Sequence, residues 1–273
     1  MPLTVTPAQP LELLPLFAAL YGASEDDFRP VATGLTGAWT VRDGAGPLLG
    51  AVGLRPSPVH GAELMGGALP GLEQREAATA LARTARQVVG CAYAFAEPHL
   101  FPAEALEAAG YRVAGFYRVL SGPTPTGVAQ APGELRLLHL SAVPDLSTRV
   151  AGLATYQDRI GHHTPVAEHA QDGAGGSDPA LSLIALDADG QAAGLCMAGV
   201  SGGEAQIGSP GVRPDLRATG LRRALLLGVC TLVRERGLER IRLESWGDTV
   251  EELADDLALG LRREAETAIY SAG

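Results

Sequence analysis

At 273 residues and 46% apolar content, the chain holds enough material for two domains of ordinary size. A formal charge of −10 argues against a general nucleic-acid binder, whose phosphate contacts need clustered positive charge, and no apolar run approaches the roughly 20 residues of a membrane span. Lysine and asparagine are both absent, which excludes Schiff-base lysine chemistry, a phosphate-loop lysine and N-glycosylation.

In chain order, residues 3–6 read as a strand and 10–21 as a helix with an early proline. A strand pair, Ala38–Val41 and Leu48–Leu54, turns through Asp43-Gly44, a hairpin signal between apolar runs. Residues 73–89 form a helix with Ala77, Ala80, Leu81, Thr84, Ala85 and Val88 near helical spacing. Then come a strand at 91–95, a helix at 102–109 ended by Gly110, and a strand at 111–120.

The second half repeats the order. Leu135–Leu140 is a strand, Val143–Gln157 a helix, and Leu181–Leu186 with Ala193–Val200 a hairpin across Asp187-Ala188-Asp189-Gly190. Ala205–Val212 is a strand, 218–236 a long amphipathic helix, Arg240–Trp246 a strand, 249–259 a helix ended by Gly260, and Leu261–Tyr270 a last strand. Gly110 and Gly260 fall 150 positions apart, each where a helix needs a left-handed cap before a strand. The fold expected is α/β, with a first domain over 1–122, a linker over 123–133 in the Pro-, Gly- and Thr-rich stretch Ser121–Gly133, and a second domain over 134–273. Gln171–Asp178 reads as a mobile loop, a candidate lid. Cys91, Cys196 and Cys230 sit far apart in apolar segments, as reduced core residues do. The start Met1-Pro2-Leu3 lacks a signal-peptide pattern, so the expected location is cytoplasmic.

The stretch Gly211-Val212-Arg213-Pro214-Asp215-Leu216-Arg217-Ala218-Thr219-Gly220-Leu221-Arg222-Arg223 joins a strand to the long helix through a basic, glycine-bearing turn. Such a turn aims free backbone N–H groups and a helix N-terminus at one point, which attracts phosphate.

This stretch, with Leu243-Glu244-Ser245-Trp246-Gly247-Asp248, Leu259-Gly260-Leu261 and the element order, resembles the GNAT acyltransferase family. The tandem arrangement is similar to its mycothiol-synthase-like members. The resemblance implies two GNAT-like domains, each a mixed, mostly antiparallel sheet flanked by helices. It implies an N-acetyltransferase that moves acetyl from acetyl-CoA to a small-molecule or peptide amine by direct attack, with no metal, no nucleic acid and no membrane. Coenzyme A would lie on Gly211, Val212, Arg217, Ala218, Thr219, Gly220, Leu221, Arg222 and Arg223. The Val212 N–H would polarise the thioester carbonyl. Glu204 stands where several members keep the base that deprotonates the amine, though a strand-edge carboxylate in solvent has the same sequence signature. His162, His163 and Glu244 are candidates for the acceptor site; His139 and His169 complete no recognisable ligand set.

The chain also departs from the family pattern. Arg222 replaces a small residue, and its side chain either crowds the pyrophosphate or grips it. Asp256 stands where many members keep a tyrosine acid, and Leu106 at the matching place in the first half. Asp248 suits an N-cap. The first half carries Glu73 and Glu76 in place of the glycine turn, so it reads as a degenerate copy. A non-catalytic ligand-binding or regulatory protein on a decayed fold is the alternative.

Overall fold

The computed structural model describes residues 2–273. By packing, the chain forms two units: residues up to Gly115 together with Thr267–Gly273, and Phe116–Glu266.

The first unit opens with β1 (Leu3–Pro7), a 3-10 turn at Pro10–Leu13, α1 (Leu14–Tyr21) and α2 (Glu25–Thr33). The strands β2 (Ala38–Asp43), β3 (Leu48–Ser57) and β4 (Gly61–Ala68) follow, then α3 (Gln74–Val89), β5 (Ala92–Phe95), α4 (Ala103–Ala108) and the start of β6 (Arg112–Pro123). The sheet runs β1-β2-β3-β4-β5, antiparallel except for the parallel β4–β5 pair. Ala77, Ala78, Leu81, Ala82 and Ala85 of α3 are buried; their small size lets the helix lie close on the sheet. Both α2 and β4 are additions to the elements expected from sequence. α2 starts on a reciprocal cap, the Ser24 N–H donating to Asp27 at 3.0 Å, and it carries Pro30 inside. β4 is rich in glycine, which hides a strand pattern.

The second unit holds β7 (Arg136–His139), α5 (Leu146–Leu153), β8 (Leu183–Leu186), β9 (Ala192–Cys196), β10 (Ala198–Ser201), β11 (Glu204–Gly208), β12 (Gly211–Val212), α6 (Leu221–Glu235), β13 (Arg240–Trp246), α7 (Val250–Ala258) and the start of β14 (Arg262–Ala272), as far as Glu266. One sheet runs β12-β9-β8-β7, all antiparallel. In the other, β10 and β13 flank β11, antiparallel and parallel respectively. α6 seals the core with Leu221, Leu225, Leu226, Val229, Cys230 and Val233 against Leu183, Ala193, Ile207, Ile241 and Leu243. Each such leucine contributes about 1.5–3 kcal/mol through burial.

Several expected elements are broken in the structure. The helix expected over 143–157 is α5 alone between two 3-10 turns, and it starts behind Asp145, whose carboxylate accepts the Ser147 and Thr148 N–H groups. The strand expected over 205–212 parts at Ser209-Pro210 into β11 and β12. The long helix starts at Leu221, behind a 3-10 turn over Pro214–Thr219. The cap of α7 is Thr249, whose hydroxyl accepts the Glu252 N–H, not Asp248. Residues 171–178 hold a 3-10 turn at Ala174–Gly176, with Ser177 bridged to Gly199. Cys196 and Cys230 are buried, but Cys91 is exposed.

The last strands are grouped unlike a linear cut between the two halves. Ile269–Ala272 of β14 pair with β5, and Tyr270 and Ala272 join the core of the first unit. Tyr117–Pro123 of β6 pair with β13, and Leu120 joins the core of the second.

Candidate functional site

β11 and β13 run side by side as far as Gly208 and Glu244, and the Ser209 N–H still donates to the Glu244 carbonyl at 2.7 Å. Beyond Pro210 the two part. β12 leaves to pair with β9, and β13 runs on to Trp246. In that ladder the Arg213 N–H bonds the Ala193 carbonyl at 2.9 Å. Alternation of an antiparallel ladder therefore turns the Val212 N–H away from β9, toward the opening.

The turn after β12 leads to the N-terminus of α6. Gly220 adopts φ +86, a left-handed conformation that favours glycine, and a Cβ there would meet no neighbouring atom. As N-cap it offers no side chain, so no side-chain bond closes the first turn of α6. Ala218, Thr219, Gly220 and Arg223 are exposed, while Leu221 and Arg222 are buried. An uncapped, exposed helix N-terminus suits an anion.

Arg222 neither crowds nor reaches that turn with its guanidinium. Its side chain runs inward and lies on the Asp256 carboxylate, with both Nη atoms at 2.8 Å from its two oxygens. The same Nη2 donates to Asp248 at 2.7 Å and to the Ser209 hydroxyl at 3.0 Å, and Ser209 donates on to Asp248 at 2.6 Å. Burial opposes the Arg222 charge, but Asp256, Asp248 and Glu252 outweigh it and raise its pKa. Burial lifts Asp256 above the ordinary carboxylate range, although Arg222 pulls it back. Asp248, Glu252 and Asp256 recur every four residues, so α7 turns one acidic face to α6. That spacing was a usable sequence signal for the partner of Arg222.

Arg217 is also committed. Its guanidinium holds Asp158 bidentately at 2.7 and 2.6 Å, and its Nε donates to the Val212 carbonyl at 3.1 Å. The bond to Arg217 keeps Asp158 below the usual carboxylate pKa. Next to Asp158, Arg159 donates to Glu252 at 2.6 Å and to the Gly247 carbonyl at 3.0 Å. The Tyr156 ring lies on Gly211, where a Cβ would come within 2.7 Å of its Cδ1, and its hydroxyl donates to the Leu195 carbonyl at 2.6 Å. Tyr156 also stacks on His162, whose ring meets Trp246 edge-on at 5.9 Å. Burial above all, then the charges of His163 and Arg159, push His162 down to about 4, so its imidazole is neutral at pH 7.

A cavity of about 690 Å3 opens beside this region. Gln206, Gly208, Glu244 and Trp246 form one wall, Met197 and Ser201 another, and His169 with Gly175–Ser177 the rim. Glu244 is the one carboxylate of the lining, and its Oε1 lies 3.6 Å from Arg242 Nε. Beside it, burial and the Glu244 charge push Tyr117 up to about 12. Glu204 does not line this cavity. It starts β11 at the far end and pairs with Arg240 at 2.7 Å. Gln206, two residues on and on the same face of the strand, faces the cavity instead. Among the described residues, no group of three or more His, Cys, Asp or Glu side chains could hold a metal ion.

These elements define an α/β protein with the GNAT fold in tandem. A GCN5-related N-acetyltransferase from Sphaerobacter thermophilus superposes over 98% of this chain and 95% of its own, with a TM-score of 0.58 and 18% identity. A tandem GNAT protein from the clavulanic acid biosynthesis pathway covers 99% and 98%, with a TM-score of 0.55 and 17% identity. In sequence, a mycothiol acetyltransferase of Clavibacter michiganensis is 44% identical over 77 residues, 28% of this chain and 25% of its own length. The counterpart from Clavibacter sepedonicus is 43% identical over the same length. The chain thus matches about a quarter of the length of these curated relatives. No family model matches it.

Proposed function

We propose that the second unit is an acyl-coenzyme-A-dependent N-acyltransferase that moves acetyl to an amine seated in the cavity beside Glu244. The observation that carries this reading is the uncapped N-terminus of α6 behind the Gly220 turn, at the mouth of the opening between β12 and β13. The backbone N–H groups of Thr219, Gly220, Leu221 and Arg222 would hold the pyrophosphate, with Arg223 exposed beside them. Acyl-coenzyme A would supply an activated thioester, whose C–S bond breaks as the amide C–N bond forms and whose sulfur leaves as the coenzyme A thiol. The Val212 N–H would polarise its carbonyl. Glu244 would take the proton that the attacking amine loses; it lines the cavity, whereas Glu204 is paired with Arg240 at the start of β11. The share of sequence held in common with mycothiol acetyltransferases supports the same reading.

Thr219→Glu tests it. The side chain is exposed, so the variant gives up little beyond the Thr219 hydroxyl bond to the Leu216 carbonyl at 2.6 Å, and the new charge would stand beside the phosphates. Calorimetric titration with coenzyme A should show binding to the wild type and at least a tenfold loss in the variant. Millimolar coenzyme A that leaves the wild type unbound would remove the reading. The alternative, a non-catalytic binding protein, is favoured by one observation: Arg217 and Arg222 are already held by carboxylates. Binding without thiol release across a panel of amines would select that alternative.

A further inference from the structure

The segment Tyr156–His162 lies across the opening between β12 and β13 and touches both lips. On the β12 side, the Tyr156 ring covers Gly211 and Asp158 clasps Arg217. On the β13 side, Arg159 bonds the Gly247 carbonyl and Glu252. There too Ile160 packs at Gly247, where a Cβ would stand 3.0 Å from its Cγ2, and a Cβ at Gly161 would stand 3.0 Å from Trp246 Cδ1. The segment is built of turns and joins no strand ladder. Its backbone bonds are local, Arg159 N–H to Tyr156 carbonyl and His162 N–H to Arg159 carbonyl. Its anchors are side chains, and the Arg217–Asp158 pair is part-exposed at 27% and 35%. Segments held this way open at lower free energy than the ladders around them.

We propose that Tyr156–His162 is a strap that closes the groove between β12 and β13 until acyl-coenzyme A arrives, rather than a fixed wall of the site. The proposal rests on the coenzyme A reading above. Arg217 is the hinge of the exchange. Its planar fork fits a carboxylate and a phosphate equally well, so an arriving phosphate competes with Asp158 for the same donors. Loss of that clasp frees the strap from the β12 lip. Trp246 couples the movement to the cavity, since it touches Gly161 and His162 and also lines the acceptor wall.

Hydrogen exchange of the whole chain with and without coenzyme A, and stopped-flow binding of coenzyme A to the wild type, Asp158→Asn and Arg159→Gln, test the strap. Exchange at 156–162 should rise at least tenfold on binding, while that of α6 does not. Each variant should bind several-fold faster than the wild type. Arg159→Gln keeps the Arg217–Asp158 pair and guards against a purely local effect at Arg217. In a chain that binds coenzyme A, unchanged exchange at 156–162 or unchanged association rates in both variants would overturn the strap and leave the coenzyme A reading standing. If neither the wild type nor the variants bind coenzyme A, both readings fall.

Discussion

His162 shows how a residue type can be visible in sequence while its state is not. A histidine pair in a loop suggests contact with an acceptor, but the structure puts His162 between Tyr156 and Trp246, with its pKa pushed down to about 4, mainly by burial. The unfolded chain binds this proton near pH 6.5, the folded chain only near 4. Stability is therefore complete above about 6.5 and falls as the pH drops toward 4, by up to about 3 kcal/mol at the end of that window. The difference in urea midpoint between the wild type and His162→Gln, followed from pH 7 to pH 4, should shrink or reverse as the pH falls. A His162 ring that titrates near 6.5 by NMR would contradict this. Glu204 illustrates the opposite limit. The residue type suited a base, but Glu204 pairs with Arg240 at the start of β11, while Gln206, Ile207 and Gly208 of that strand line the cavity.

Among elements, helices with strong apolar periodicity were legible and irregular ones were not. α3, α6 and α7 follow their apolar spacing closely, since one face of each meets a core. α2 is short, acidic at its start and interrupted by Pro30, so periodicity is weak, although Ser24 and Asp27 carried a cap signal. The glycine turn was legible because its conformation needs glycine at 220, but the direction of the next side chain was not. Arg222 bridges α6 and α7 with Asp256, 2% exposed, and Asp248, 9% exposed. Arg222→Met would leave two buried carboxylates without a cation and cost about 3–5 kcal/mol. The double variant Arg222→Met/Asp256→Leu should regain part of that loss, because one of the two buried charges departs with its partner while Asp248 keeps the Ser209 hydroxyl bond. Chemical denaturation of the three proteins decides the matter: equal losses in single and double variants would mean that the bridge is not an interdependent pair.

For the whole chain, the repeat was legible but the exchange of its last strands was not. Element order and the paired glycines at 110 and 260 describe two copies along the sequence, and a sequence gives no sign of which neighbour an edge strand chooses. In the structure, residues 117–123 pair with β13 and place Leu120 in the core of the second unit, while residues 269–272 pair with β5 and place Tyr270 and Ala272 in the core of the first. A fragment of residues 134–273 thus lacks the neighbour of β13 and exposes the backbone edge and apolar face that β6 covers. It also carries the end of β14 with no β5 to join. Expressed alone, it should lack a cooperative thermal transition by circular dichroism and should aggregate. Residues 1–133 should fare little better, with β5 left as an open edge. Mixed or co-expressed, the two fragments should form a stable complex with one cooperative transition, because each then receives the strand it lacks. A cooperative transition in 134–273 alone would show that β6 is dispensable to the second core. The linker at 123–133, rather than the strand pairing, would then set where the chain can be cut.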